Sequence, residues 1–179
     1  MSGSIVETIN QLRMILGELA DIDLGYPLGE NTVRQAAPAA TVAAQLNESG
    51  LADLQYLREF YCECDGLSMP DVHVGYFVKP LQRVVAFDPS SEPHTVVSTT
   101  QSLSVLPIGS TGGGKLFVID RSNGSVLCLP PGPLHEGQYD GRGVDVTSVA
   151  NTLPDFLEAL IADVEAFIKD EQGYEYIAD

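Results

Sequence analysis

Hydrophobic residues along the chain change their spacing several times, and each change marks a predicted element. Ser4 and Glu7 form a capping box, and apolar residues then follow at intervals of three or four up to Leu19. This spacing predicts an amphipathic helix over about Ser4–Ala20. Gly25–Gly29 contains two glycines and a proline and predicts a loop.

Two further helices are predicted before the middle of the chain. The second begins near Pro38, which suits a first helical turn, and stops at Gly50. The third is capped by Asp53 and ends at Asp65-Gly66, where glycine can supply a left-handed terminal residue.

From Asp71 onwards the hydrophobic period shortens to two, which is typical of strands. Apolar residues alternate from Val72 to Val78 and predict a strand that Pro80 closes. Val84–Phe87 and Thr95–Val97 are predicted as short further strands.

A central β-hairpin is predicted from two apolar runs, Leu116–Ile119 and Val126–Leu129. Between them Asn123-Gly124 can adopt the positive φ values that tight hairpin turns need. Both runs are apolar at nearly every position, as in strands with material packed on each face of the sheet. We therefore expect this hairpin to lie in the middle of the fold.

After the hairpin, Gly132–Gly143 is predicted to be a surface loop and Val144–Val146 a short strand. The last helix is predicted to begin at Thr152, with Pro154 in its first turn. It carries a continuous apolar stripe: Leu153, Phe156, Leu157, Leu160, Ile161, Val164, Phe167 and Ile168. A short acidic tail follows Gly173.

The composition favours one globular domain with a strongly negative surface. The chain has 179 residues, 44% of them hydrophobic, and 25 acidic against 9 basic residues, a net charge of −16. Such a charge argues against nucleic acid as a partner and favours a basic protein. Acidity that serves only solubility is the alternative.

Targeting and redox features favour a cytoplasmic protein. No apolar run reaches the length of a membrane span, and Met1–Glu7 resembles no signal peptide. Three cysteines, an odd number, argue against a disulfide framework. Cys62 and Cys64, both on the third predicted helix, would point about 200° apart and share no metal ion.

The segment Gly109–Lys115 matches the first seven positions of the P-loop pattern. Leu116 stands where the pattern needs a magnesium-binding Ser or Thr, and a strand follows instead of a helix. We therefore interpret this segment as a flexible glycine loop that enters a buried strand.

No residue pattern gives a positive reason to expect an enzyme, a cofactor or a metal. His73, His94 and His135 lie in unrelated local settings, and no nucleophile motif is present. Asp71 and His73 would share a strand face, which leaves an acid–base or metal pair conceivable. A surface histidine is the simpler interpretation. A ligand-binding function would use this pair or Gly112–Lys115.

An ordered series of motifs resembles the SUKH superfamily, named in part for the Smi/Knr-type regulators of yeast cell-wall synthesis. The resemblance spans about Leu51–Ile168 and leaves the helical first fifty residues, the loop after Leu129 and the tail uncovered. It is carried by Leu57-Arg-Glu-Phe-Tyr61, Asp65-Gly66, Val74-Gly-Tyr-Phe77, Leu106-Pro-Ile-Gly109, Gly112-Gly-Gly-Lys-Leu-Phe-Val-Ile-Asp120, Gly124-Ser-Val126 and Val149-Ala-Asn-Thr-Leu-Pro-Asp-Phe-Leu157.

The resemblance implies an α+β fold: a mostly antiparallel sheet of about four to six strands, packed by N-terminal and C-terminal helices. It also implies a non-catalytic binding role. Bacterial members are regarded as immunity proteins that neutralise toxins, often nucleases, and eukaryotic members as regulatory binding proteins.

We therefore expect a single domain over residues 1–179 that binds and occludes a basic, nuclease-like toxin domain. A regulatory module that binds a housekeeping or cell-wall-synthesis protein is the alternative. The expected contact residues lie on predicted loops and strand edges, where a solvated surface role is the competing explanation: Asp65, Asp71, Tyr76, Glu136, Tyr139 and Asp140. The oligomeric state and the role of the first fifty residues stay open.

Overall fold

The computed structural model describes residues 4–179, which fold as an α+β structure with five helices and ten strands. Residues 1–3, on which part of the signal-peptide expectation rests, lie outside the described residues. The helices are α1 Ile5–Ala20, α2 Ala39–Glu48, α3 Gln55–Glu63, α4 Leu81–Val85 and α5 Leu153–Ile168. The strands are β1 Thr32–Gln35, β2 Cys64–Met69, β3 Tyr76–Val78, β4 Thr95–Val97, β5 Ser102–Thr111, β6 Leu116–Asp120, β7 Val126–Leu129, β8 Leu134–His135, β9 Gln138–Asp140 and β10 Thr147–Ala150. The expected fold class is confirmed, but the strands outnumber the four to six expected.

The strands form one main antiparallel sheet with a small sheet attached through β5. The main sheet has the order β1-β2-β3-β5-β6-β7-β10. The start of β5, Ser102–Ser104, pairs with β4 instead, and β4 pairs in parallel with β9, which forms a hairpin with β8. Because β5 belongs to both sheets, it carries the small sheet over one face of the main one.

The central hairpin of β6 and β7 is buried on both faces, as its sequence predicts. Phe117 and Ile119 of β6 join the large core beneath the helices. Val118, between them, joins a second core with Leu127 of β7 and Val96 of the small sheet. Alternate side chains of a strand point to opposite faces, so a strand that is covered twice must be apolar throughout.

The first and last helices also match their predictions, because the capping residues that predict them bond to residues only three positions away. Ser4 N donates to Glu7 Oε2 (3.1 Å) and Ser4 Oγ accepts from Glu7 N (3.3 Å), which completes the capping box of α1. Thr152 Oγ1 accepts from Asp155 N (3.2 Å) at the start of α5. The apolar stripe of α5 is buried except for Phe167 and Ile168, which are half-buried.

The predicted end of the third helix is wrong. Helix α3 ends at Glu63, and Cys64 begins β2, so the two neighbouring cysteines do not share a helix. Gly66 has a φ of 89°, but it lies inside the strand instead of ending a helix. A Cβ atom there would lie 2.4 Å from the carbonyl oxygen of Val78, so glycine is required by the close approach of β3.

Two predicted strands around Pro80 are also corrected. The alternating segment from Val72 is a turn up to Gly75, whose N–H donates to Val72 O (2.8 Å), and only Tyr76–Val78 forms a strand. The predicted strand Val84–Phe87 instead belongs to α4 and the residues after it. Pro80 starts that helix, and α4 packs with α2 and β5.

The predicted loop Gly132–Gly143 contains the β8–β9 hairpin. Its turn residues Glu136 and Gly137 have φ values of 47° and 76°, as two-residue hairpin turns require. The next strand lies at Thr147–Ala150, three residues beyond the predicted Val144–Val146. Strand β1 carries no alternating apolar pattern and had no counterpart in the prediction.

Replacing Gly66 by alanine tests the close approach between β2 and β3. We expect Gly66→Ala to destabilise the fold by at least about 2 kcal/mol, because it combines a positive φ with a backbone clash. Gly17 is exposed on α1 with open space around it, and Gly17→Ala should stabilise the fold by about 0.5–1 kcal/mol. Urea unfolding measures both, and a Gly66→Ala variant as stable as the wild type would contradict this account.

Candidate functional site

A buried carboxylate organises the C-terminal end of the molecule. Asp163 lies on α5 and is fully buried. Its Oδ2 accepts hydrogen bonds from Tyr76 Oη (2.6 Å) and Ile177 N (3.2 Å), and its Oδ1 accepts one from Tyr174 Oη (3.0 Å). These bonds join α5 and β3 to residues 174–179, which we call the tail.

Burial raises the pKa values of Asp163, Tyr76 and Tyr174, three residues that we call the Asp163 cluster. Burial raises the pKa of Asp163, although the hydrogen bonds from Tyr76, Tyr174 and Ile177 act to lower it. Burial, followed by the hydrogen bond to Asp163, raises the pKa of Tyr174 to about 12. The pKa of Tyr76 is raised for the same two reasons. Both tyrosines therefore stay protonated as donors to Asp163 at neutral pH.

A second set of contacts holds the other side of the tail. The rings of His73 and Tyr176 stack with centroids 4.0 Å apart and an interplanar angle of 1°. His73 Nε2 lies 2.8 Å from Asp179 Oδ1. Lys115 Nζ donates to the carbonyl oxygens of Ala178 (2.5 Å) and Asp179 (2.6 Å). The tail is thus a packed part of the fold.

The glycine loop therefore holds the tail in place through the hydrogen bonds of Lys115. The loop connects β5 to β6, and Thr111 binds Lys115 through both backbone and side chain. A strand follows it, as the sequence indicates, so the loop opens no helix that could face a phosphate.

A cleft of about 440 Å³ opens beside the tail. It is lined by Lys115, Cys128, Pro130, Asp145, Thr147, Glu175, Tyr176, Ile177 and Asp179. Three carboxylates against one ammonium group suit a cationic group better than an anionic one. Burial raises the pKa of Cys128, so its thiol stays protonated and is a poor nucleophile at neutral pH.

The described part of the chain, residues 4–179, contains no group of three His, Cys, Asp or Glu residues that could hold a metal ion. The histidines have separate environments: His73 contacts the tail, His94 packs edge-on against Phe87, and His135 is exposed on β8. The sequence suggested that Asp71 and His73 share a strand face. Both instead lie in the turn before β3.

Two of the six expected contact residues hold neighbouring segments in place. Asp65 Oδ1 accepts from Leu81 N (2.8 Å), at the start of α4. Asp71 Oδ2 accepts from Gly29 N (2.8 Å) and from Asn31 Nδ2 (2.6 Å), which ties the turn before β3 to the loop before β1. Both side chains are half-buried.

Two others, Tyr76 and Tyr139, are buried, whereas the sequence predicts them on a strand edge and in a surface loop. Tyr76 lies in β3 between β2 and β5, and its hydroxyl is held by Asp163. Tyr139 Oη donates to Pro130 O (2.7 Å) beneath the β8–β9 hairpin. Neither ring is available to a partner in this conformation.

The remaining two lie on or beside the same hairpin turn. Glu136 is exposed in the turn, and Asp140 forms a two-point ion pair with Arg142, with both distances 2.8 Å. These hydrogen bonds lower the pKa of Asp140 to about 2. The hairpin thus gathers Glu136, Tyr139 and Asp140, while the other three residues lie elsewhere. That the six bind a partner stays a prediction.

The Asp163 cluster is not predicted by any local sequence pattern, although the sequence contains one signal of it. Asp163 directly precedes Val164 and follows Leu160 by three positions, within the apolar stripe of α5. A carboxylate at a core position needs hydrogen-bond donors. Its donors Tyr76 and Tyr174 are far apart in sequence from each other, and no local pattern pairs them.

Comparisons with known proteins give no assignment. No protein-family model matches the chain, and a search of curated proteins found no match. Within residues 4–179 no helix combines the length and the apolar character that a membrane span requires.

The raised pKa of Asp163 predicts how stability depends on pH. The pKa of Asp163 is higher in the folded state than in the unfolded state. Its contribution to the free energy of unfolding is therefore greatest below the unfolded-state pKa and falls as the pH rises through the folded-state pKa. Relative to Asp163→Asn, the wild type should therefore lose stability as pH rises from about 4 towards neutrality. Urea unfolding at several pH values measures this difference.

Glu48→Gln, at an exposed position of α2, is the matched control for removing one carboxylate. Its stability difference from the wild type should change much less over this pH range, because Glu48 is solvated. A wild-type advantage over Asp163→Asn that grows with pH would contradict the proposed effect of burial.

Proposed function

We propose that this protein is a non-catalytic binding protein that neutralises a basic toxin domain by covering it with an acidic surface. The observation that carries the proposal is the location of the charge. All 25 acidic residues lie within the described residues 4–179, and only Asp120 and Asp163 among them are buried. The remaining carboxylates are at least partly exposed, where they can act on a partner.

The few cations leave most of this charge without compensation. Ion pairs join Lys79 to Glu92, Arg142 to Asp140 and Lys169 to Glu165. Nine lysines and arginines leave a net charge of −16 however they pair. A field of one sign steers a basic partner to the surface and suppresses the approach of acidic ones.

The resemblance to the SUKH superfamily supports the same proposal, since its bacterial members are regarded as toxin-neutralising immunity proteins. Its eukaryotic members are regarded as regulatory binding proteins, which would use the same surface for a different partner. The three free cysteines, Cys62, Cys64 and Cys128, fit a reducing cytoplasmic compartment, which we include in the proposal.

Affinity capture from the native host at low salt, followed by mass spectrometry, tests this function. We expect one stoichiometric basic protein that is toxic when expressed alone and harmless when co-expressed with this chain. A housekeeping or cell-wall-synthesis protein that is not toxic would overturn the immunity function and favour the regulatory one. An acidic captured partner would contradict both the charge argument and the proposal.

A further inference from the structure

A shallow groove runs between α1 and α5 and leaves apolar side chains open to solvent. It encloses about 280 Å³ and is lined by Gln11, Met14, Ile15, Glu18, Glu165, Ile168 and Lys169. Within residues 4–179, Met14 is 67% exposed, more than the other exposed large hydrophobic residues Val6, Tyr26 and Val74, whose exposed fractions are 46%, 50% and 41%.

Core packing does not explain why an apolar residue stands at position 14. The buried stripe of α1 runs through Ile5, Ile9, Leu12, Ile15, Leu16 and Leu19, and Met14 lies outside it. Ile15 belongs to the core and Ile168 packs at its margin. Met14 therefore extends the apolar surface outward from the core, and methionine adapts readily to a partner's shape.

Both helices direct their negative ends towards this groove. Residues at the starts of α1 and α5, Ile5 and Pro154, line one cleft, and residues near their ends line the groove, so the helices run in the same direction. Neither helix has a basic residue in its last turn. The aligned backbone dipoles of both helices therefore leave partial negative charge at these ends, which Lys169, the residue after α5, offsets in part.

Acidic side chains add negative charge near these two helix ends. Glu18 and Glu165 lie on the walls, and Asp21 follows α1 as Asp170 and Glu171 follow α5. Lys169, the cation on the wall, lies 3.2 Å from Glu165 Oε2.

The basic residue of α1, Arg13, points away from the groove. Arg13 donates to Glu63 O (2.8 Å), at the end of α3. The groove thus combines an apolar floor with two carboxylates, Glu18 and Glu165, and one ammonium group, Lys169, on its walls.

We propose that this groove docks a basic amphipathic helix of the protein's partner. An apolar side chain of that helix would pack on Met14 and Ile168, and flanking lysines or arginines would face Glu18 and the two helix ends. A groove between two parallel helices suits a third helix laid along it. A second copy of this chain would bring the same negative charges and be repelled. The inference rests on the proposed function, because it takes the partner to be basic.

Fluorescence anisotropy with synthetic peptides tests the groove without the natural partner. The probe is a fluorescein-labelled helical peptide of repeated Leu-Lys-Lys-Leu-Leu-Lys-Lys units. A scrambled peptide of the same composition keeps the charge but has no apolar face. We expect the amphipathic peptide to bind the wild type at least about tenfold more tightly than the scrambled one.

Two pairs of matched variants locate the binding. Met14→Ser should weaken binding of the amphipathic peptide about fivefold or more, whereas Val74→Ser, an exposed residue in the turn before β3, should change it less than about twofold. Glu18→Gln should weaken binding more than Glu48→Gln, although both remove one negative charge.

Equal binding of the two peptides, no binding of either, or equal effects of the two serine variants would overturn the groove as a docking site. These failures are distinct from failure of the proposed function. A captured basic toxin that Met14→Ser still binds with wild-type affinity would refute the groove and leave the function in place. A non-toxic captured partner would refute the function, whatever the peptides show.

Discussion

The structure depends on one constraint: the central hairpin must be covered on both faces. Phe117 and Val118, adjacent on β6, enter two different cores. Helices cover one face, and the small sheet carried by β5 covers the other. Exposing either face would leave a row of large apolar side chains in water, so both the helical layer and the small sheet must pack on the hairpin.

The tail completes the helical side of this arrangement. Asp163 is a carboxylate in an apolar layer, and it is tolerated because Tyr76, Tyr174 and the backbone of Ile177 all donate to it. The same bonds fix the tail across the end of the sheet, where Lys115 holds it from the other side. The glycine loop that resembles a nucleotide-binding motif thus has a structural role here.

Features with local causes could be predicted from the sequence, and features set by distant contacts could not. Ser4 and Thr152 cap their helices through residues three positions away, so α1 and α5 were predicted closely. Gly66 suggested a helix end, but the approach of β3 determines its conformation. Tyr139 was expected at the surface because it lies in the glycine-rich segment Gly132–Gly143, but a hydrogen bond to Pro130 O and packing in the core of the small sheet bury it. The groove at Met14 exists only because α1 and α5 lie side by side, which no local sequence pattern indicates.

We propose that the negative surface draws this protein to a basic partner. Stopped-flow association with the captured partner, followed as the salt concentration is raised, tests it most directly. We expect the association rate constant to fall at least about tenfold between roughly 50 and 500 mM salt, with a much smaller change in the dissociation rate constant. An association rate constant that does not change over this range would contradict it.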